Sequence, residues 1–142
     1  MQLKWARNAY PTREKGQRMA YRILIVEDDP DAQQALAMLL GLDGHHVEVV
    51  TNGREALVEL LAGRSYDVIL SDLRMPEIDG EELFRRIEDG WPHLVPRVVF
   101  LSGQQTSVEF REQYSERRVP ILKKPVSPDR LRQVMASVVG TR

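Results

Sequence analysis

The sequence predicts an α/β protein built on a doubly wound, five-stranded parallel sheet in the order 2-1-3-4-5, with helices on both faces and a fourth helix that is short or irregular. Two observations carry that expectation. From Tyr21 onward, short β-branched runs alternate with segments at helical spacing, the pattern of a βα repeat whose parallel sheet is covered on both sides. The first and third runs, and the fourth beyond Arg97, are apolar throughout, as strands buried on both faces must be. Right-handed crossovers then direct ligands to the carboxyl ends of the first and third strands.

Taken in order, the strands are Ile23-Leu24-Ile25-Val26, His46-Val47-Glu48-Val49-Val50, Val68-Ile69-Leu70, Arg97-Val98-Val99-Phe100-Leu101 and Val119-Pro120-Ile121-Leu122. Glu48 and Pro120 place the second and fifth near an edge, because a central strand tolerates neither a charge nor a missing N–H. Helical spacing predicts helices over Asp31 to Leu42, Arg54 to Leu61, Glu81 to Glu88 and Asp129 to Val139; Ala35, Leu36, Leu39 and Leu40 show the period. Asp29 caps the first with Pro30 behind it, and Gly41 and Gly44 fit its end. From Gln104 to Arg118 only Val108, Phe110 and Tyr114 keep a partial period, which predicts a short or irregular helix.

Composition sets the bounds. The chain has 142 residues, 20 basic against 21 acidic side chains, 42% hydrophobic and 29% charged residues, and no cysteine. That allows about one domain with its own core and excludes disordered and low-complexity classes. It also excludes disulfide frameworks, thiolate metal sites and thiol nucleophiles, and it suits a reducing compartment, with the cytoplasm as the expectation. No apolar stretch approaches the ~20 residues of a membrane span, and the N-terminus lacks a signal peptide's apolar segment. Residues 1–20 read as a basic, flexible extension: Lys4, Arg7, Arg13, Lys15, Arg18 and Arg22 face only Glu14. Met19 is a candidate start. The domain proper is expected over residues 21–140.

Glu27 and Asp28 follow the first strand directly and Asp72 follows the third, so adjacent parallel strands deliver three carboxylates to one edge. At ~4 Å and a near-surface dielectric, each like-charge pair costs on the order of 4 kcal/mol, which demands protonation or a cation. Oxygen ligands without His or Cys favour Mg²⁺ or Mn²⁺ over zinc. Ser102 closes the fourth strand and Lys124, with Pro125 behind it, follows the fifth. A hydroxyl, an ammonium and a metal around one aspartate form a receptor for a phosphoryl group, with Asp72 as nucleophile. Singly, each residue has an ordinary explanation: Asp28 assisting a cap, Asp72 or Ser102 in a turn, Lys124 solvated. Together, at four strand ends, they point to one site.

These residues carry a resemblance. Ile23-Leu24-Ile25-Val26-Glu27-Asp28-Asp29, Tyr66-Asp67-Val68-Ile69-Leu70-Ser71-Asp72-Leu73-Arg74-Met75-Pro76 with Gly80, Val99-Phe100-Leu101-Ser102-Gly103 and Leu122-Lys123-Lys124-Pro125 resemble the receiver domain of two-component signalling, found in response regulators and hybrid histidine kinases. The resemblance covers about residues 21–140 and implies a flavodoxin-like fold. It implies that Asp72 accepts phosphate from a kinase phosphohistidine, and that Asp28, Asp72 and the carbonyl of Arg74 bind Mg²⁺ while Glu27 holds a metal-bound water. Lys124 would contact one phosphoryl oxygen and Ser102 another. A cis Lys124-Pro125 peptide is implied too, with Arg74 and Gln104 placed to tune autodephosphorylation. The implied partners are a histidine kinase or phosphotransfer protein and a downstream protein target, with a phosphorylation-dependent homodimer among the contacts allowed and neither direct nucleic acid nor membrane binding.

The sequence departs from that pattern on the output side. Ile121 stands where receivers that couple a hydroxyl to an aromatic movement carry Tyr or Phe. Glu116-Arg117-Arg118-Val119-Pro120 replaces the common Gly-Ala pair and is closer to receivers of hybrid kinases. After Val139 only three residues follow, so a stand-alone receiver and an excised piece both fit. A phosphatase resembling the haloacid dehalogenase class would need an aspartate where Pro30 stands, two beyond Asp28, and room for a cap domain. A phosphorylation-independent binding scaffold is the remaining alternative. His45 and His46 are adjacent on a strand and point to opposite faces, which argues against a joint metal site. Trp91 beside Pro92 is read as a loop anchor, Trp5 falls in the extension, and Arg117, Arg118 and Lys123 read as a solvated face with partner docking as the alternative.

Overall fold

The computed structural model describes residues 20–103 and 106–140. Its elements run β1 (Arg22–Val26), α1 (Pro30–Leu42), β2 (His46–Val50), α2 (Gly53–Leu61), β3 (Val68–Asp72), α3 (Gly80–Gly90), a 3₁₀ turn (Pro92–Arg97), β4 (Val98–Ser102), α4 (Val108–Glu116), β5 (Ile121–Lys123) and α5 (Pro128–Gly140). The five strands form one sheet in the order β2-β1-β3-β4-β5, every pair parallel. The expected fold class therefore holds, and Glu48 and Pro120 lie with the edge strands as their chemistry requires.

Alternation along the strands builds two cores. Leu24, Val26, Ile69 and Phe100 face one layer; Ile23, Ile25, Val68, Leu70, Val99 and Leu101 face the other, where Leu36 and Leu40 of α1 and Leu131, Val134 and Met135 of α5 cover them. Because both faces are covered, β1, β3 and β4 need apolar residues at nearly every position. Under α4 the rings of Phe84, Phe100, Phe110 and Tyr114 meet at centroid distances of 4.5 to 5.7 Å, mostly edge to face or tilted, as ring quadrupoles favour.

The helix starts follow capping chemistry. Asp29 caps α1 by accepting from the N–H groups of Asp31 and Ala32, with Pro30 at the first helical position. Asn52, Asp79 and Ser107 cap α2, α3 and α4. Ser107 explains why α4 is a regular nine-residue helix despite its weak apolar period: the cap and the buried Tyr114 define it.

Some expectations need correction. Gly41 lies within the last turn of α1 and only Gly44 takes a positive φ, +91°. Strand β5 begins at Ile121, because Val119 and Pro120 are spent turning out of α4: the Val119 N–H donates to the Tyr114 carbonyl and Arg118 adopts φ +62°. Strand β3 extends to Asp72, and β4 runs from Val98 to Ser102. The 3₁₀ turn was not foreseen; Trp91 ends α3 just before it and packs against the core. The extension expected over residues 1–20 lies outside the described residues except for Ala20, which is buried. Gln104 and Trp5 lie outside them as well. No described helix is long and apolar enough to cross a membrane.

Candidate functional site

Three carboxylates and an ammonium converge where β1, β3 and β5 end. Glu27 and Asp28 leave β1, whose register against β3 pairs Val26 with Ser71, so Asp72 arrives at the same level. Carboxylate oxygens of Glu27, Asp28 and Asp72 lie within 4.8 Å of one another. Lys124 reaches in from the end of β5, its Nζ 2.6 Å from Glu27 Oε1 and 3.0 Å from Asp72 Oδ2. Its own N–H donates to the Ser102 carbonyl at 2.8 Å, which ties the lysine to the end of β4. The Lys124-Pro125 peptide is cis.

Glu27 is fully buried and Asp72 nearly so, whereas Asp28 is exposed. Burial pushes the Glu27 carboxyl above its ordinary pKa; the Lys124 bond and the Asp29 N–H oppose this, and Asp72 adds to it. Burial works against the Lys124 ammonium too, but its bonds to Glu27 and Asp72 outweigh that and raise its pKa. One cation among three carboxylates leaves negative charge uncompensated.

The backbone around Asp72 is fixed by close packing. The Leu73 N–H donates to Asp72 Oδ1 at 2.8 Å and the Ser71 hydroxyl to the Asp72 carbonyl at 3.0 Å. Gly80 N–H donates to the Leu73 carbonyl, and a Cβ at Gly80 would fall 2.3 Å from the Asp72 carbonyl oxygen. Only glycine fits there, which gives the glycine at this spacing a steric reason. Gln33 on α1 donates through its side-chain amide to the Glu27 carbonyl, and the Asp29 N–H donates to Glu27 Oε2 at 3.1 Å. Gln33 was not singled out from the sequence, because nothing in a helical pattern marks which polar residue turns inward.

Ser102 shares its strand face with Phe100, two residues earlier, on the α4 side of the sheet. Its hydroxyl is buried with no hydrogen-bond partner among the described residues, a group primed to accept or donate. Arg74 lies exposed, two residues past Asp72 on the β3–α3 loop. All the expected site residues thus gather at one end of the sheet. The expected basic run divides: Arg117 pairs with Glu88 and stands over the Phe84 and Tyr114 rings at 4.9 and 5.5 Å, while Arg118 and Lys123 line a separate cleft. His45 stacks on Tyr21 and accepts the Tyr21 N–H through Nδ1, a structural role.

A parallel α/β sheet with an acidic cluster at the carboxyl ends of its central strands defines a class, and comparison with known proteins names it. Residues 23–136 match the Response regulator receiver domain. CpdR, a response regulator receiver protein of Brucella abortus, is 35% identical over 104 residues, covering 73% of this chain and 84% of CpdR. The response regulator protein FleR of Pseudomonas aeruginosa is 38% identical over 76 residues, 54% of this chain. The chain spans only 16% of FleR and 30% of the transcriptional regulatory protein TcrA of Mycobacterium tuberculosis. Among solved structures, the signal receiver domain of a signal transduction histidine kinase from Syntrophus aciditrophicus superposes with a TM-score of 0.72 at 32% identity, covering 86% of this chain and 92% of that one. CheY4 of Vibrio cholerae gives 0.73 at 27%, covering 84% and 98%. The chain belongs to the response regulator receiver domain family, the phosphoacceptor module of two-component signalling.

Proposed function

We propose that Asp72 is the phosphoacceptor, taking a phosphoryl group from a phosphohistidine on a histidine kinase or phosphotransfer protein. A carboxylate oxygen of Asp72 forms the new bond to phosphorus as the bond to the imidazole nitrogen breaks and the imidazole leaves. The observation that carries this reading is the packing of Glu27, Asp28 and Asp72 oxygens within 4.8 Å beside the Lys124 ammonium.

The donor set fits a hard divalent cation: it is all oxygen, partly exposed through Asp28, and richer in negative charge than Lys124 neutralises. Asp28, Asp72 and the Arg74 carbonyl would hold Mg²⁺, with Glu27 ordering a water on it. Bound there, the ion supplies charge neutralisation for the phosphoryl oxygens. Lys124, already 3.0 Å from Asp72, engages one phosphoryl oxygen, and the unpartnered Ser102 hydroxyl engages another. The chemistry is confined to gaining and losing this one group, so the protein is a signalling component rather than an enzyme acting on other substrates. Phosphorylation then alters contact with a downstream protein in the cytoplasm, an assignment that the cysteine-free composition suits.

Intact-mass spectrometry after acetyl phosphate and Mg²⁺ treatment tests the assignment. The wild type gains one phosphate and Asp72→Asn gains none; labelling of the variant moves the acceptor elsewhere.

A further inference from the structure

Asp28 is the exposed member of the acid cluster, and among the described residues no hydrogen bond or ion pair holds its carboxylate. Its direction is therefore set by the two peptide planes on either side of it. The plane joining Asp28 to Asp29 is held through the Asp29 N–H, which donates to Glu27 Oε2 at 3.1 Å. The plane joining Glu27 to Asp28 is held through its carbonyl, which accepts the side-chain amide of Gln33. Upstream, the Glu27 N–H continues the ladder from β1 to β2, donating to the Val50 carbonyl at 3.0 Å.

These two holds differ in kind. The first depends on the Glu27 carboxylate, which Lys124 also engages at 2.6 Å, so it belongs to the charged set that an incoming cation or phosphoryl group rearranges. The second comes from outside that set. Gln33 is uncharged, and its own N–H donates to the Asp29 carbonyl at 2.9 Å, in the turn of α1 that Asp29 caps. One side chain thus fastens the start of α1 to the end of β1 across the residues that carry Asp28. The carbonyl it serves belongs to Glu27, a residue with no exposed surface, so loss of the donor leaves a shielded acceptor unpaired and its plane free to turn.

We propose that Gln33 is a positioning residue for the phosphoryl transfer: its amide locks the Glu27–Asp28 peptide and so aims the Asp28 carboxylate at the cation site beside Asp72. The inference rests on the reading of Asp72 as acceptor and of Mg²⁺ as the ion. Gln33 is assigned no contact with ion or phosphate; it acts through Asp28, as partners that orient a metal ligand do. Its removal lowers Mg²⁺ affinity and leaves the transfer step unchanged once the ion is bound.

Isothermal titration of the full chain with Mg²⁺ tests this on Gln33→Met, which fills a similar space without a donor, and on Gln33→Asn, whose amide falls one methylene short. Both bind Mg²⁺ about 10-fold more weakly than the wild type. Acetyl phosphate labelling of both slows at limiting Mg²⁺ and returns to the wild-type rate at saturating Mg²⁺. In metal-free protein the Asp29 amide exchanges hydrogen faster in both variants. Asp67→Ala, which removes the acceptor of the Arg22 N–H at the opposite end of the sheet, keeps wild-type Mg²⁺ affinity. Wild-type affinity in Gln33→Met would reduce the residue to space filling and overturn the proposal. So would an unchanged Asp29 amide, a labelling deficit that saturating Mg²⁺ does not repair, or an equal loss of affinity in Asp67→Ala. A wild type that neither binds Mg²⁺ nor labels on Asp72 overturns the underlying reading along with this one; a wild type that does both, beside indistinguishable Gln33 variants, overturns this one alone.

Discussion

The two ends of the sheet treat polar groups in opposite ways. At the amino-terminal end they are matched: the Arg22 N–H donates to Asp67 Oδ2 and the Asp67 N–H to the Arg22 carbonyl, both at 2.8 Å. Arg97 donates to the Tyr66 carbonyl at 2.7 Å, and Arg132 grips both oxygens of Asp43 at 2.8 and 3.2 Å. At the carboxyl-terminal end three carboxylates share one lysine, Glu27 is held above its ordinary pKa by burial, and the Ser102 hydroxyl has no partner. One end uses its polar groups to hold strands and helices in register. The other leaves one buried hydroxyl unpartnered and gathers more carboxylates than its single lysine neutralises.

Substitutions at the two ends should therefore separate function from stability. The largest effect is expected for Asp72→Asn, with complete loss of acetyl phosphate labelling and a denaturation midpoint equal to or above that of the wild type, since a like charge is removed. A lower midpoint would mean that the acid cluster stabilises the fold. Asp28→Ala should weaken Mg²⁺ binding ~10-fold or more, because loss of a direct ligand costs at least as much as loss of a group that orients one; isothermal titration with Mg²⁺ checks this.

At the matched end, Asp67→Ala leaves the partly buried Arg22 N–H without that acceptor. It should cost about 1–3 kcal/mol in urea denaturation with labelling intact. A pH series sharpens the contrast. Unfolded Glu27 ionises near its ordinary 4.5 while burial keeps the folded group protonated to higher pH. The native state then binds more protons across that window, so stability falls as pH rises above 4.5 and levels off once the folded carboxyl ionises. Glu27→Gln in metal-free buffer should flatten that slope, and an unchanged slope would assign it to another group. The smallest change is expected for Arg132→Ala, whose partly exposed pair with Asp43 is screened by solvent, read as a small shift in thermal midpoint.

Much of this was legible in the chain itself. Apolar runs at Ile23 to Val26 and Val98 to Leu101, alternating with segments at helical spacing and with a cap at Asp29, determined element order and the parallel sheet, because strand and helix periods and caps are local properties. Strand order then located Glu27, Asp28, Asp72, Ser102 and Lys124 at one end, since parallel strands deliver their carboxyl termini together. Other features depend on contacts between distant segments. Gln33 turning inward to Glu27, the steric demand at Gly80, the buried and unpaired Ser102 hydroxyl, the division of Arg117 from Arg118 and Lys123, and the shortening of β5 to Ile121–Lys123 were decided only by tertiary packing. Residue type and spacing name the groups a strand end can offer; which of them is desolvated, paired or left open depends on what the rest of the chain places against it.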